Sequence, residues 1–205
     1  ATDKRSEHFI LHLVSREGIT NEQTRISRKY TDPTIDKTIE QIIGLLEPLQ
    51  PVDLENPSFD PKELRKEMEE LMLSSNGIGL SANQVGVDQQ VFVMGDKPDN
   101  TNICINPTVL EYTEETVLDL EGCLSFPHMY VKINRPKEIL AEFYDENLEK
   151  QTVKIDGYSA KCYLHELDHL LGITMKDRCS KLKWDMAKKK SAKYKKLYEE
   201  TNARS

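Results

Sequence analysis

Two histidines and a glutamate stand close together in the segment His165-Glu166-Leu167-Asp168-His169. On an α-helix, residues four apart lie on the same face with Cβ atoms about 5–6 Å apart, so both imidazoles could bind one metal ion. A glutamate beside the first histidine can act as a general base on a metal-bound water. A surface helix with solvated histidines would contain the same residues, so the motif alone does not decide between the two interpretations.

The flanking residues indicate that this motif lies on a helix. Leu164, Leu167 and Leu171 recur at helical spacing and would form an apolar stripe. Gly172 follows the stripe and suits the left-handed residue that ends many helices. The sequence therefore predicts a helix that carries both histidines on one face and ends at Gly172.

The bulk properties of the chain exclude several classes of protein. Its 205 residues fit one domain with a real core. A formal net charge of −7 argues against a protein whose main role is to coat nucleic acid. We expect no membrane span and no signal-peptide core, because no apolar run reaches the required length. The four cysteines lack paired spacing, which favours reduced thiols in the cytoplasm, or in an organelle after removal of a transit peptide.

Further helices are predicted on both sides of the motif. Residues 1–31 are mixed and charged, and we expect them to form a loosely attached arm. Asp32-Pro33 and Asp60-Pro61 each provide an N-cap and a first helical residue before an apolar stripe. Residues 181–196 carry eight lysines against one aspartate and predict a basic helix. Its weak apolar face is expected to comprise Leu182, Met186, Tyr194, Leu197 and Tyr198.

Between residues 90 and 155 the apolar pattern is typical of short, adjacent strands, which favours antiparallel pairing. The expected strands lie at 91–94, 102–105, 109–110, 116–118, 131–133, 138–143 and 152–155. The sequence therefore predicts an α+β fold, in which antiparallel β-sheets pack around a central metal-binding HExxH helix, with additional N-terminal and C-terminal helices. The expected organisation is an arm at 1–31, a catalytic domain at 32–180 and a basic C-terminal helix at 181–205.

A catalytic metal site needs a third protein ligand. Downstream, Met175 stands where the extended HExxHxxGxxH pattern requires a third histidine, which excludes that pattern. Upstream, Cys123 lies in the segment EGCLS and could present a thiolate, although a lone cysteine is more often a buried structural residue. A third segment, from Gly77 to Gly86, contains glycines that let main chain approach a ligand, and Gln84 offers an amide. It lacks the strand-then-helix setting of a dinucleotide site.

Taken together, GIGLSANQ, EGCLS and HELDH occur in an order that resembles the three signature motifs of the peptide deformylase family. The resemblance extends from Pro48 to Asp177. It implies an α+β hydrolase that acts on a linear amide and removes the formyl group from the N-terminal formyl-methionine of nascent bacterial or organellar polypeptides.

The resemblance also implies a role for each matching residue. The implied metal ligands are Cys123, His165 and His169. The implied catalytic groups are Glu166 as general acid/base, with Gln84 and the backbone N–H of Leu124 as donors to the oxyanion. The implied substrate-binding or groove-lining residues are Gly79, Ile78, Glu121, Tyr130 and Cys162.

This sequence departs from the usual family pattern at four positions. Ser81 replaces an alanine, a change that we expect to be harmless. Tyr130 replaces the arginine that is common in bacterial relatives, so the grip on the peptide beyond methionine is expected to differ. Tyr158 and Lys161 occupy positions that are usually aliphatic and line the methionine pocket, so the pocket is expected to have a different shape.

The family reaction implies one divalent metal ion. The resemblance favours Fe²⁺, and a soft thiolate with imidazoles also suits Zn²⁺, Ni²⁺ or Co²⁺. The expected partners are N-formyl-methionyl nascent peptides, with ribosome contact through the lysine-rich helix, no membrane and no specific DNA binding.

Two alternatives to a deformylase remain open at this point. A general HExxH metallopeptidase would take its third ligand from residues after His169 and would cleave internal peptide bonds. A catalytically silent deformylase-like protein would bind peptide or RNA only. Because Glu166 and Gln84 are both present, the enzyme is favoured over the silent protein.

Overall fold

A computed structural model describes residues 46–202 of the chain. The predicted arm at 1–31 and the helix predicted to begin at Asp32 lie outside the described residues. The described part contains three α-helices and seven strands. In chain order they are α1 (Pro61–Ser74), β1 (Gly79–Ser81), β2 (Val91–Met94), β3 (Asn102–Tyr112), β4 (Thr116–Cys123), β5 (Phe126–Pro136), β6 (Glu138–Tyr144), β7 (Lys150–Asp156), α2 (Gly157–Leu170) and α3 (Lys181–Asn202).

Helix α1 begins where its capping residues predict. The carboxylate of Asp60 accepts hydrogen bonds from the backbone N–H groups of Lys62 (2.8 Å) and Glu63 (3.3 Å), and Pro61 is the first helical residue. Such a cap stabilises a helix by about 1 kcal/mol. The predicted apolar stripe is buried, which fixes the helix against the sheet. Its members are Leu64, Met68, Leu71 and Met72.

Five strands form one antiparallel sheet in the order β1-β2-β3-β6-β7. The prediction of antiparallel strands between residues 90 and 155 is therefore confirmed. The segments predicted at 102–105 and 109–110 form one irregular strand instead of two. Asn106 lies between them in a left-handed conformation (φ 50°), and its side chain binds both the N–H and the carbonyl of Val52, at 2.7 and 2.9 Å. The strand bends at Asn106 without ending.

Strand β1 was not expected, because three residues are too few for an alternating pattern to emerge. Gly79, Leu80 and Ser81 pair with Met94, Val93 and Phe92 at the edge of the sheet. A short 3₁₀-helix, Ala82–Val85, follows directly. The glycine-containing segment therefore begins as an edge strand and continues as a helical turn.

The described residues form two compact units. The sheet unit comprises residues 46–117 and 135–174, and its core includes Phe92, Tyr163 and Phe143. The hydroxyl of Tyr163, on α2, lies 3.0 and 3.2 Å from the carbonyls of Thr108 and Glu142, and its ring packs edge-on against Phe92. Burial raises the pKa of Tyr163 well above its usual value. These contacts anchor α2 on the sheet.

Strands β4 and β5 pair with each other as a two-stranded hairpin. The hairpin unit comprises residues 118–134 and 175–202. Phe126 packs edge-on against Trp184 of α3, with ring centroids 5.5 Å apart. The predicted apolar face of α3 is wrong at Leu182 and Met186, which are 70% and 62% exposed. Trp184 and Ala187 are buried instead, because a tryptophan side chain offers the largest apolar area on this helix. None of the helices in the described part of the chain has the length and apolar character that a membrane span requires.

Candidate metal centre

The two histidines of the HELDH segment lie side by side on α2. A ligand-competent nitrogen of His165 lies within 4.8 Å of one on His169, and their ring centroids are 4.9 Å apart. The side chains are almost fully buried, with residue exposures of 8% and 1%. The predicted helix is therefore confirmed, as is its end: Leu171 is the C-cap, and Gly172 follows with a φ of 72°. Two metal–nitrogen bonds of about 2.0–2.1 Å reach across at most about 4.2 Å, so one ion can bind both rings when their ligand nitrogens lie at or below that separation.

Glu166 lies between the histidines and is also buried, at 4% exposure. Its carboxylate approaches the backbone of Gly79 on β1 so closely that a methyl group on Gly79 would collide with it. The same methyl group would lie 2.8 Å from Sγ of Cys162, whose thiol donates to the carbonyl of Ile78 at 3.3 Å. The sheet unit thus brings together four predicted site residues, namely Gly79, Ile78, Cys162 and Glu166.

The side-chain amide of Gln84 is held by Ser81. Its Oε1 atom accepts hydrogen bonds from both the N–H and the hydroxyl of Ser81, each at 2.9 Å. Both residues are buried. Because the carbonyl end of the amide is fixed, the Nε2 end is the one that can donate to a ligand. The hydroxyl of Ser81 therefore makes a hydrogen bond to Gln84 that an alanine could not make.

Two polar contacts that sequence reasoning missed hold the helix itself. The amide Nδ2 of Asn83 donates to the carbonyl of His169 at 2.7 Å, and both residues are buried. Arg135 forms an ion pair with Asp168 at 2.6 Å, with side-chain exposures of only 7% and 8%. For the contact of Asn83 with His169, the only indication in the sequence was that Asn83 lies next to Gln84. For the ion pair of Arg135 with Asp168, the sequence contains no indication.

Tyr158 and Lys161 lie on the first turns of α2. The ammonium group of Lys161 is 4.3 Å from the centroid of the Tyr158 ring, and Tyr158 is 63% exposed. The pair forms a cation–π contact at the surface. A polar, aromatic surface thus stands where the family resemblance implied aliphatic side chains.

The remaining predicted site residues belong to the hairpin unit. Glu121 is buried at 5% exposure, and Cys123 and Leu124 are half-buried. Cys123 packs against the apolar core formed with α3. The ring of Tyr130, which is 57% exposed, covers Gly122, because a Cβ on that glycine would lie 2.8 Å from the ring.

Two other cysteines have environments that suit inert thiols. Cys104 is almost fully buried in the sheet, and burial raises the pKa of its thiol well above the usual value. Burial also raises the pKa of Cys179. A metal ligand must be a thiolate, so a raised pKa disfavours both positions as ligands.

Comparison with known proteins identifies the family. The family model described as "Polypeptide deformylase" matches residues 29–185, which is most of the chain and includes all three motifs. The chain belongs to the polypeptide deformylase family. The resemblance drawn from the motifs is thereby confirmed. The deformylases are metal-dependent enzymes, and the buried imidazole pair on α2 fits such a metal by donor type and by spacing.

Individual relatives agree with this assignment. The peptide deformylase of Wolbachia pipientis wMel is 42% identical over 151 residues, which cover 68% of this chain and 84% of the relative. The crystal structure of a peptide deformylase from Synechococcus elongatus in complex with actinonin has a TM-score of 0.66 at 30% identity, covering 73% of this chain and 83% of that one. Peptide deformylase from Thermotoga maritima has a TM-score of 0.61 at 37% identity, covering 67% and 91%. The α+β fold class is thus confirmed.

Proposed function

We propose that this chain hydrolyses the formamide of N-formyl-methionyl nascent peptides, at a divalent metal ion held by His165, His169 and Cys123. Family membership makes it a deformylase and a hydrolase of protein biosynthesis. The observation that carries the site is the buried imidazole pair on α2 with Glu166 between its members. The comparisons give no support to the catalytically silent peptide- or RNA-binding alternative.

The assignment of Cys123 as the third ligand is supported by its chemistry and its position in the chain. It lies at the end of β4, inside the matched residues 29–185, and it is only half-buried. A thiolate and two neutral imidazoles leave one position of a tetrahedral ion for water or substrate. The raised pKa of Cys104 and Cys179 makes Cys123 the better thiolate candidate among these three.

The metal when bound would lower the pKa of a coordinated water to about 7 and so supply a nucleophile at neutral pH. Glu166 is fixed against Gly79, and we assign to its carboxylate the proton that leaves the attacking water. The same carboxyl group then delivers that proton to the departing amine nitrogen, so formate and a free α-amino group are the products. Burial of the carboxylate excludes bulk water from this transfer.

The developing negative charge on the formyl oxygen needs hydrogen-bond donors. We assign this role to Nε2 of Gln84 and the backbone N–H of Leu124. The fixed orientation of the Gln84 amide supports the assignment, since Ser81 occupies the carbonyl end. Removing one such donor typically costs about 2.7–4 kcal/mol of transition-state stabilisation.

The proposed substrate groove is lined by Gly79, Ile78, Glu121, Tyr130 and Cys162. Gly79 supports it best, because β1 is an edge strand whose backbone can pair with an extended peptide. The peptide would then lie along the strand that contacts the Glu166 carboxylate.

Among possible ions we propose Fe²⁺ as the working metal, with Zn²⁺, Ni²⁺ or Co²⁺ as functional replacements. A thiolate with two imidazoles accepts all of these metals. A ferrous-thiolate site is sensitive to oxidation, so activity with Fe²⁺ should decline in air and activity with Ni²⁺ should persist.

The test of the proposed function is formate release from a formyl-Met tripeptide by protein prepared without oxygen. Glu166→Ala should abolish release while the metal content stays at that of the wild type. Cys123→Ser should lose both metal and activity. A Cys123→Ser protein that retains its metal and cleaves an unformylated peptide would instead indicate a general metallopeptidase.

We also propose that the protein acts in the cytoplasm or in an organelle. A further part of the proposal is that α3 contacts the ribosome. The lysines of Lys181–Asn202 give this helix a strong positive charge in an otherwise acidic chain. Ribosome affinity should therefore fall as salt rises, and should drop when Lys188, Lys189 and Lys190 are replaced by glutamate. Tripeptide deformylation should not change in that variant. Equal affinity of the two proteins at every salt concentration would dismiss the contact.

A further inference from the structure

Arg135 connects strand β5 to the two turns of α2 that carry the proposed metal ligands. Its Nη1 atom lies 2.6 Å from the Asp168 carboxylate and donates to the backbone carbonyl of Leu164 at 3.4 Å. Leu164 directly precedes His165, and Asp168 directly precedes His169. One guanidinium group therefore contacts the helix immediately before each histidine.

The cost of this arrangement indicates that it does more than stabilise the fold. The side chains of Arg135 and Asp168 are 7% and 8% exposed, and removing each charge from water carries a penalty of several kcal/mol. An apolar pair of similar volume often stabilises a core as well or better. The ion pair of Lys137 with Glu115, two residues further along the chain, is 47% and 68% exposed and carries no such penalty.

We propose that Arg135 is a positioning residue for deformylation, which fixes the rotation of α2 about its own axis and so the aim of His165, His169 and Glu166. Leu164 and Asp168 are four residues apart and share one face of the helix, about 100° from the face of the histidines. Because one nitrogen, Nη1, holds both acceptors, rotation or sliding of the helix lengthens at least one contact and is resisted. The amide of Asn83 holds the carbonyl of His169 in the same turn.

The inference rests on the proposed metal site, because it assigns Arg135 a function only through the two histidines. Neither Arg135 nor Asp168 is required to touch metal or substrate. The expected signature is thus a loss of metal affinity and of kcat, with little change in KM. A misplacement of reacting groups by about 1 Å can lower rates about 10²-fold.

The test compares Arg135→Met, Asp168→Leu and the double variant with the wild type. Each single variant removes one partner of the buried ion pair and should lower the thermal midpoint, whereas the double variant should recover it. If Arg135 has a positioning role, the double variant should remain impaired although its stability is recovered. Its affinity for Co²⁺, measured by chelator competition, should be at least about tenfold lower than that of the wild type. The visible absorption spectrum of the Co²⁺ complex should be altered, and kcat should be reduced at least tenfold. Recovery of stability together with wild-type Co²⁺ affinity and kcat would overturn the proposal.

Two further variants make the result independent of folding defects. Arg135→Lys keeps the charge but replaces the rigid, planar guanidinium by a compact ammonium group on a flexible stem, and it should fold while showing a smaller change in the Co²⁺ spectrum and in kcat. Lys137→Met is the matched control, because it breaks an exposed ion pair nearby and should change neither quantity. An Arg135→Lys protein identical to the wild type in both measurements would also refute the positioning role. If the wild type itself fails to bind Co²⁺, the proposed metal site fails rather than the inference from Arg135.

Discussion

Replacing Gly79 by alanine should reduce turnover without removing the metal. The new methyl carbon would lie 2.8 Å from Sγ of Cys162 and closer still to the Glu166 carboxylate. Real Cβ atoms essentially never lie closer than 3.0 Å to another heavy atom, and ordinary contacts begin at 3.4 Å. The sulfur must therefore shift, by 0.6 Å (3.4 − 2.8) for an ordinary contact, and the carboxylate by more. Glu166 would then move away from the atoms between which it transfers a proton.

The size of the effect follows from that displacement. A shift of about 1 Å in a reacting group can cost about 10²-fold in rate, which equals about 2.7 kcal/mol. We therefore expect kcat for formate release from a formyl-Met tripeptide to fall about 30- to 100-fold. The metal content should stay at the wild-type level, because the three atoms nearest to the new methyl carbon belong to Glu166 and Cys162 and not to a histidine.

Cys162→Ala separates the two collisions. In the Gly79→Ala/Cys162→Ala double variant the sulfur is absent, so thermal stability should recover in part, while kcat should remain low because the carboxylate is still displaced. Cys162→Ala alone should retain most of its activity. A metal-loaded Gly79→Ala protein with a kcat within twofold of the wild type would refute the reasoning, since Glu166 would then not work from its position against Gly79.

Three further predictions concern the supports of the site. Ser81→Ala removes one of the two hydrogen bonds to the Gln84 carbonyl and should cost about 1 kcal/mol of transition-state stabilisation. The expected result is a roughly fivefold lower kcat at unchanged KM, whereas an equal kcat would show that the backbone N–H of Ser81 is sufficient. Metal removal by a chelator should lower the thermal midpoint reversibly, because an ion at 100 times its Kd stabilises the folded state by about 2.7 kcal/mol; a midpoint indifferent to metal would contradict a site in the folded protein. Trp184→Ala should cost about 3–5 kcal/mol in denaturant unfolding, and Leu182→Ala, at an exposed position of the same helix, should stay within about 0.5 kcal/mol; similar losses would contradict the observed face of α3.

The elements that the sequence predicted well depend on local physics. Asp60 and Pro61 start α1 through a cap made within three residues. Gly172 follows the end of α2 because the chain there needs one residue in the left-handed conformation, which glycine adopts readily. The histidine pair is local in the same sense, since a spacing of four residues on a helix determines which side chains meet. The alternating strands likewise follow from a period of two.

The features that the sequence did not predict depend on partners far along the chain. Arg135 and Asp168 are 33 residues apart, and Asn83 and His169 are 86 apart. The residues next to Arg135 or Asn83 in the sequence do not indicate which distant residue either one contacts. Many different partners were equally compatible with the sequence. The apolar face of α3 was wrong for a related reason, because the choice between Trp184 and Leu182 was made by the hairpin that the helix packs on.

The measurement that tests the central claim most directly is X-ray absorption at the metal edge of the loaded protein. We expect a first coordination shell with one sulfur and two imidazole nitrogens, at about 2.3 Å and about 2.0–2.1 Å for zinc. The sulfur contribution should disappear in Cys123→Asp and persist in Cys162→Ala. A shell of nitrogen and oxygen alone in the wild type would contradict a metal centre built from Cys123, His165 and His169.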